Sequence, residues 1–334
     1  MSLLPGGTRQ KIAVVGTGIS GSLAAHRLSR HHDVTVFEAD DRIGGHTNTI
    51  DVTVGDKHWA VDTGFIVFNE VTYPNFIALL DELGVASQPS EMSFSVRCER
   101  TGMEYNGATM NTLFAQRSNL FRPSFYRMLR EILRFNREAP TVLDMPGDSI
   151  NLGEYLDQQG YSKSFVEHYI IPMGAAIWSS TPGGMASIPA KFFVRFFVNH
   201  GLLQVSDRPA WRVIKGGSRQ YLDKLVAGHR DRIRLSCPVE SVRRHPDHVE
   251  VKAQGCPVER FDQVFLSCHS DQALNMLANP TPQEQATLGA IRYQLNDAVL
   301  HTDSSLMPRR KLAWAAWNYH IPEKRTWPDE RVAL

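Results

Sequence analysis

The chain has 334 residues, 42% hydrophobic and 21% charged, with 36 lysines and arginines against 35 aspartates and glutamates. That length supports a large core and two domains, and the composition is that of a globular protein; the cancelled charge excludes a global field that attracts nucleic acid. The four cysteines, Cys98, Cys237, Cys256 and Cys268, form no C-x-x-C pair, which fits a reducing compartment and neither a disulfide framework nor a zinc site.

The first ten residues hold no apolar signal core and no apolar run is long enough to span a bilayer, so the expected location is cytoplasmic. Lys11–Val15 is a short run rich in β-branched residues, as in a strand buried on both faces. Gly16-Thr17-Gly18-Ile19-Ser20-Gly21 then turns into a helix whose Ile19, Leu23 and Leu28, with the small Ala24 and Ala25, can face a sheet. "DVTVFE" follows as a second strand ending at Glu38. In such a unit Gly16 permits the tight turn, Gly18 lets a pyrophosphate approach the backbone, and Gly21 lets helix and strand pack closely. The helix N-terminus, at Ile19 and Ser20, supplies unpaired N–H groups. Glu38, 22 residues after Gly16, can accept hydrogen bonds from the ribose of an adenosine, with Ala39 beside it. A bare G-x-G-x-x-G is a weak signal, but strand, glycines, helix, strand and terminal acid in this order point to a dinucleotide.

FAD and NAD both contain ADP, so the first motif does not separate them. The chain continues with "ADDRIGGHTNT", holding the pair Gly44-Gly45, and then a hairpin pattern turning at Gly55-Asp56. A nicotinamide-binding domain would add another helix and parallel strand here. At these residues the sequence resembles the flavin-containing amine oxidase superfamily, which includes monoamine and polyamine oxidases, protoporphyrinogen oxidase and phytoene desaturase-like enzymes. The resemblance rests on the glycine fingerprint, the acidic strand end and the R-x-G-G of Arg42, Gly44 and Gly45. It extends to a bacterial branch of FAD/NAD-binding proteins through "RIGGHTNT" (42–49), "VDTGFIVFN" (61–69), "NHGLL" (199–203) and "GGSRQYL" (216–222).

The resemblance implies an α/β fold: a Rossmann-like FAD-binding domain of the GR2 type with an inserted α+β substrate domain, and FAD as cofactor. It implies that Arg42, Gly44, Gly45 and His46 lie along the pyrophosphate and ribityl chain. Thr63, Gly64 and Phe65, following Asp62, would pass beside the isoalloxazine; the backbone of Val239 would contact adenine, and Val264–Cys268 would lie near the ADP. Asp40 and His46 stand where many amine oxidases carry arginines, so phosphate neutralisation falls more to backbone N–H groups.

Further along, 73–84 has helical spacing closed by Gly84, and 90–207 changes to a hairpin followed by aromatic-rich helices. Residues 117–137 carry six arginines and one acid, Glu131. On a helix from Ser124, Arg127, Arg130, Arg134 and Arg137 take one side and Phe125, Leu129, Ile132 and Leu133 the other. This suits a surface helix packed inward or a peripheral contact on the inner membrane face. Trp178 is a pocket candidate weighed against a core tryptophan, and Phe192, Phe193, Phe196 and Phe197 read as one buried helix face or a tunnel lining. Residues 212–225 read as the return to the cofactor domain, and 291–334 resemble strands of the substrate-domain sheet. The expected division is 1–90 and 208–290 for FAD, 91–207 and 291–334 for substrate.

There is no H-E-x-x-H, no G-x-S-x-G, and the thirteen histidines show no ligand spacing, so no metal is expected. A cofactor then carries the reaction: hydride transfer from a small-molecule, amine or lipid-like substrate to flavin N5, oxidising a C–N or C–C bond. With a single glycine fingerprint, re-oxidation falls to oxygen, a quinone or another carrier. Many amine oxidases hold a water near N5 with a lysine; Asn296 or Asp297 falls at that place, which favours desaturase- or isomerase-like chemistry. The family's C-terminal FAD-contacting segment has no counterpart before the chain stops at "RTWPDERVAL". A non-catalytic or truncated flavin-fold protein and an NAD-dependent dehydrogenase therefore stand as the other readings.

Overall fold

The computed structural model describes residues 8–147, 150–205, 209–323 and 331–333. Its internal contacts divide the chain into two units. Met1–Val67, Asn75–Gln88 and Val213–Ala298 make the first; Phe68–Pro74, Pro89–Arg212 and Val299–Leu334 make the second.

In the first unit, β1 (Lys11–Val15), α1 (Ile19–Leu28) and β2 (Asp33–Phe37) follow the β-branched runs and the glycine turn between them. β1 pairs in parallel with β2, Val14 opposite Val36, and on its other edge with the distant strand Gln263–Leu266, Val14 opposite Phe265. Ile233–Arg234 adds a fourth parallel strand outside β2. Side chains alternate along β1 and so enter two cores. Ile12 and Val14 pack with Ala25, Leu28, Val34 and Val36 beneath α1. Ala13 packs with Phe37, Val242, Val251 and Phe261 against the antiparallel sheet of Val239–Arg244, Val249–Ala253 and Val258–Phe261.

The expected inward face of α1 needs correction. Its buried residues are Gly21, Ser22, Ala25 and Leu28, while Ile19 is 39% exposed. The helix approaches the β1 turn too closely for a larger side chain, so small residues take the contact. After β2 comes the hairpin β3 (Thr49–Val54) and β4 (Lys57–Asp62), closed at Gly55-Asp56 with Gly55 at φ +60°, and not another helix and parallel strand. The helix Pro74–Leu83 ends before Gly84 at φ +61°.

The second unit is α+β. Phe94–Cys98 and Met103–Asn106 form an antiparallel pair, Trp317–Ile321 joins Phe94–Cys98 in parallel, and Arg331–Ala333 lies at the outer edge. Helices Pro123–Glu138, Ile171–Trp178 and Ala190–Asn199 contribute to one aromatic-rich core containing Tyr105, Phe125, Phe135, Phe165, Phe193 and Phe197. The faces of Pro123–Glu138 differ from the pattern read in the sequence. Phe125, Met128, Glu131 and Phe135 are buried and Leu133 is 55% exposed. Glu131 goes inward because Ser162 bonds it through both N–H and hydroxyl, and Arg127 pairs with it at 3.2 Å. Arg134 sits over the Tyr161 ring at 3.9 Å and Arg137 pairs with Glu138. Residues 291–298, read as part of the strand-bearing tail, contact the first unit and form no strand. The end at 325–334 lies mostly outside the described residues. Among the described residues no helix is long and apolar enough to cross a membrane.

Candidate cofactor site

The three glycines of the first turn are required for different reasons. Gly16 has φ +99°, and a Cβ there would stand 2.5 Å from the Ser267 carbonyl oxygen. A Cβ on Gly21 would overlap the carbonyl oxygen of Gly16. Gly18, the N-cap of α1 at φ −55°, has no protein atom within 4 Å of that position. It offers α1 no side-chain cap, so the first amides, at the exposed Ile19 and Ser20, point outward at the positive end of the helix.

Glu38 serves the turn as well as facing outward. Its carboxylate accepts from the Thr17 N–H at 2.8 Å, from the Thr17 hydroxyl, and from the Asp40 N–H at 3.0 Å. Thr17, fully buried, in turn accepts from the Gly44 N–H at 3.0 Å. A carboxylate has about four acceptor positions, and three are used here, leaving one for a ribose hydroxyl. Ala39 beside it is exposed. The carbonyls of Glu38 and Asp40 accept from Cys237 N–H at 2.8 Å and Ser236 N–H at 2.9 Å, which draws the segment leading to half-buried Val239 alongside.

Gly44 and Gly45, at φ +122° and +56°, fold the next loop onto the first. A Cβ on Gly45 would lie 3.3 Å from Gly18 Cα. Arg42 donates through Nη2 to the Gly45 carbonyl at 2.9 Å and pairs through Nε with Asp40 at 3.3 Å, while its Nη1 is buried with no partner. His46 is exposed; its ring lies 6.0 Å from His269, which stacks on Tyr293 at 4.3 Å. The end of β4 joins here: Phe65 N–H donates to the His46 carbonyl at 3.0 Å, and a Cβ on Gly64 would overlap that same oxygen. Thr63 N–H donates to the Asn48 carbonyl. Phe65 meets Phe76 edge-on at 5.2 Å, and Phe76 meets Tyr221 at 5.3 Å. Burial pushes the Tyr221 phenol up, and burial also raises the Cys268 thiol behind Gly16, so both stay neutral.

Backbone contacts thus gather Gly16, Gly18, Gly21, Glu38, Gly44, Gly45, His46, Gly64 and Phe65. Asn296 is not part of this group; it lies in a fully exposed irregular run. Trp178 belongs to the other unit, with its ring 4.6–6.4 Å from Phe192, Phe193, Phe196 and Phe197, as a tryptophan packed on the core does. A groove of about 480 Å³ lined by Asp41, Arg42, Thr49, Arg219 and Arg230 among others includes none of the glycines.

Sequence reasoning missed two supports. Thr17 was hidden because its partner is 21 residues away. Asp62 accepts from Ser218 N–H and hydroxyl and from the Thr49 hydroxyl, the last two at 2.7 and 2.6 Å, tying β4 to the Gly216-Gly217-Ser218 turn. Ser218 is fully buried. Asp62→Ala is expected to cost about 2 kcal/mol by stranding these donors, read as a lower urea midpoint.

An uncapped helix N-terminus, two glycine loops with open space before Gly18, and a buried unpartnered guanidinium nitrogen fit a pyrophosphate, and the acid at the end of β2 fits its ribose. The fold and site define a dinucleotide-binding protein of the flavoprotein type. A family model described as flavin containing amine oxidoreductase matches residues 19–329, so the chain belongs to that family, whose cofactor is FAD. Protoporphyrinogen oxidase 2 of Arabidopsis thaliana is 27% identical over 53% of the chain and 34% of its own length. Tryptophan 2-monooxygenase of Rhizobium rhizogenes is 24% identical over 78% of the chain and 39% of its own length. The chain therefore spans well under half the length of these curated relatives. Among solved structures, cyclohexylamine oxidase from Brevibacterium oxydans superposes with TM-score 0.65 at 21% identity, over 85% of this chain and 63% of that one. A fatty acid isomerase from P. acnes gives 0.58 at 14%, over 84% and 63%.

Proposed function

We propose that the first unit binds FAD and that the protein is an FAD-dependent oxidoreductase acting on an apolar or amine substrate held by the second unit. The observation that carries this reading is the glycine cradle: open space before Gly18, with Gly45 folded close against it, uncapped amides of α1, and Arg42 Nη1 without a partner. When bound, FAD supplies the hydride acceptor, its N5. The amides of Ile19 and Ser20 with the Arg42 charge would hold the pyrophosphate, the free acceptor position of Glu38 the ribose, and the His46 and Gly64 backbone the riboflavin half. Val239 would lie along adenine. Half-buried Trp178 and Phe196 and the exposed Phe192 offer an apolar lining for substrate.

The names of the relatives cover both substrate classes: an amino acid monooxygenase and a cyclohexylamine oxidase on one side, a fatty acid isomerase on the other. The test is the visible spectrum of the purified protein loaded with FAD. Flavin bands that bleach anaerobically with an unsaturated lipid or an amine, in a panel of both, support the reading and choose the class. A colourless protein that takes up no added FAD overturns it in favour of a non-catalytic flavin fold.

The same reading extends to a peripheral membrane contact. Phe121 is 86% exposed, and Leu120, Tyr126 and Arg130 of the same stretch are exposed as well, a basic and aromatic segment suited to an anionic bilayer. Flotation with anionic liposomes at low salt is expected to carry the protein upward. Equal recovery with and without liposomes would remove this extension and leave the flavin reading intact.

A further inference from the structure

The strands Val239–Arg244 and Val249–Ala253 are joined through His245-Pro246-Asp247-His248, with Arg244 opposite Val249. The His245 N–H donates to the His248 carbonyl at 2.9 Å, so the ladder continues one step and the two histidines stand across from each other. Directly opposed residues share a face, and Glu250, two residues past His248, shares it too. Their imidazoles stack with centroids 4.3 Å apart and planes within 3°. The Glu250 carboxylate stands before both, Oε2 at 3.1 Å from His245 Nε2 and Oε1 at 3.9 Å from His248 Nε2.

The proton positions make this arrangement informative. His248 Nδ1 lies 2.7 Å from Asp247 Oδ1, which can only accept, so Nδ1 carries the hydrogen. In neutral His248 the Nε2 lone pair then faces the Glu250 carboxylate. His245 Nε2 is buried and makes no hydrogen bond, despite its nearness to that carboxylate. Two imidazole nitrogens and a carboxylate thus lie on one face within 4.8 Å of one another, close enough to share one cation.

We propose that His245, His248 and Glu250 bind a divalent transition-metal cation, zinc by ligand type and number. Zinc with nitrogen and oxygen ligands in a tetrahedron spaces them about 3.3 Å apart. The three ligand atoms here lie within 4.8 Å of one another, a gap that side-chain torsions can close. The outer partner is already built: Asp247 fixes the His248 tautomer and is itself held by Arg260 at 2.7 Å. The side chains are 32%, 15% and 37% exposed, so a cation can reach them and a fourth position stays open to water. Arg243, opposite Glu250 in the ladder, is the cation that competes for the same carboxylate.

The site shares no residue with the glycine cradle, so its test is independent of flavin chemistry. The full FAD-loaded chain, stripped with chelator, is titrated with zinc chloride by calorimetry. Wild type is expected to bind one equivalent, with His245→Ala, His248→Ala and Glu250→Gln each at least tenfold weaker, and Arg243→Gln tighter. His31→Ala, on the exposed surface elsewhere, is expected to bind as wild type. Cobalt(II) gives a second readout, with visible bands in wild type and none in His248→Ala. Wild type that binds no zinc, or His248→Ala and Glu250→Gln that bind it unchanged, would overturn the proposal.

Discussion

Gly18→Ala is expected to melt with the wild type and to bind FAD at least a hundredfold more weakly. The residue sits at φ −55° and ψ 174°, a conformation alanine adopts freely, and a Cβ there touches no protein atom within 4 Å. Replacing glycine at such a position gains about 0.4–1 kcal/mol through the unfolded chain, against a similar loss for alanine at an N-cap. The new methyl instead occupies the space in which a pyrophosphate must meet the first amides of α1. Calorimetric melting together with a flavin titration checks both halves. Loss of stability along with loss of FAD would mean that Gly18 is structural and that the open space has another origin.

Gly21→Ala adds the same methyl three residues on and is expected to do the reverse first. Its Cβ would overlap the Gly16 carbonyl oxygen and come within 3.1 Å of Ser267 Cβ. The obstacle is backbone, so it cannot swing aside, and α1 must move off β1. Overpacking of this kind costs about 3 kcal/mol at the upper end of its usual range, a drop in Tm of roughly 6–12 °C for a unit of this size. FAD affinity would fall as a consequence of the displaced helix. A differential melting measurement in which Gly21→Ala matches the wild type would contradict the close approach of helix and strand.

The nucleotide-binding crossover was legible in the sequence because it is local. β-branched runs, glycines at fixed offsets and an acid at the strand end fix β1, α1 and β2 within a few tens of residues, and each glycine has a distinct steric duty. Features that depend on distant partners were not legible. Glu131 reads as a surface acid until Ser162, 31 residues on, draws it inside. Glu38 reads as a ribose ligand alone until Thr17 and the Asp40 N–H are seen to use most of its acceptor positions. The spacing His245-x-x-His248-x-Glu250 passes for scattered surface residues until the turn at Pro246-Asp247 places all three on one face. Residues 291–298 resembled sheet strands by position in the family, yet they form an exposed irregular run.

What matters most is whether the carboxylate at the end of β2 and the main-chain cradle beside it hold the ADP half of FAD. The direct measurement is a flavin titration of wild type and Glu38→Ala, each followed by fluorescence quenching under identical conditions. Wild type should take up one equivalent, and the alanine variant should bind at least tenfold more weakly, since it loses both the ribose acceptor and the bracket on Thr17. Equal affinity and occupancy in the two proteins would show that the nucleotide lies elsewhere.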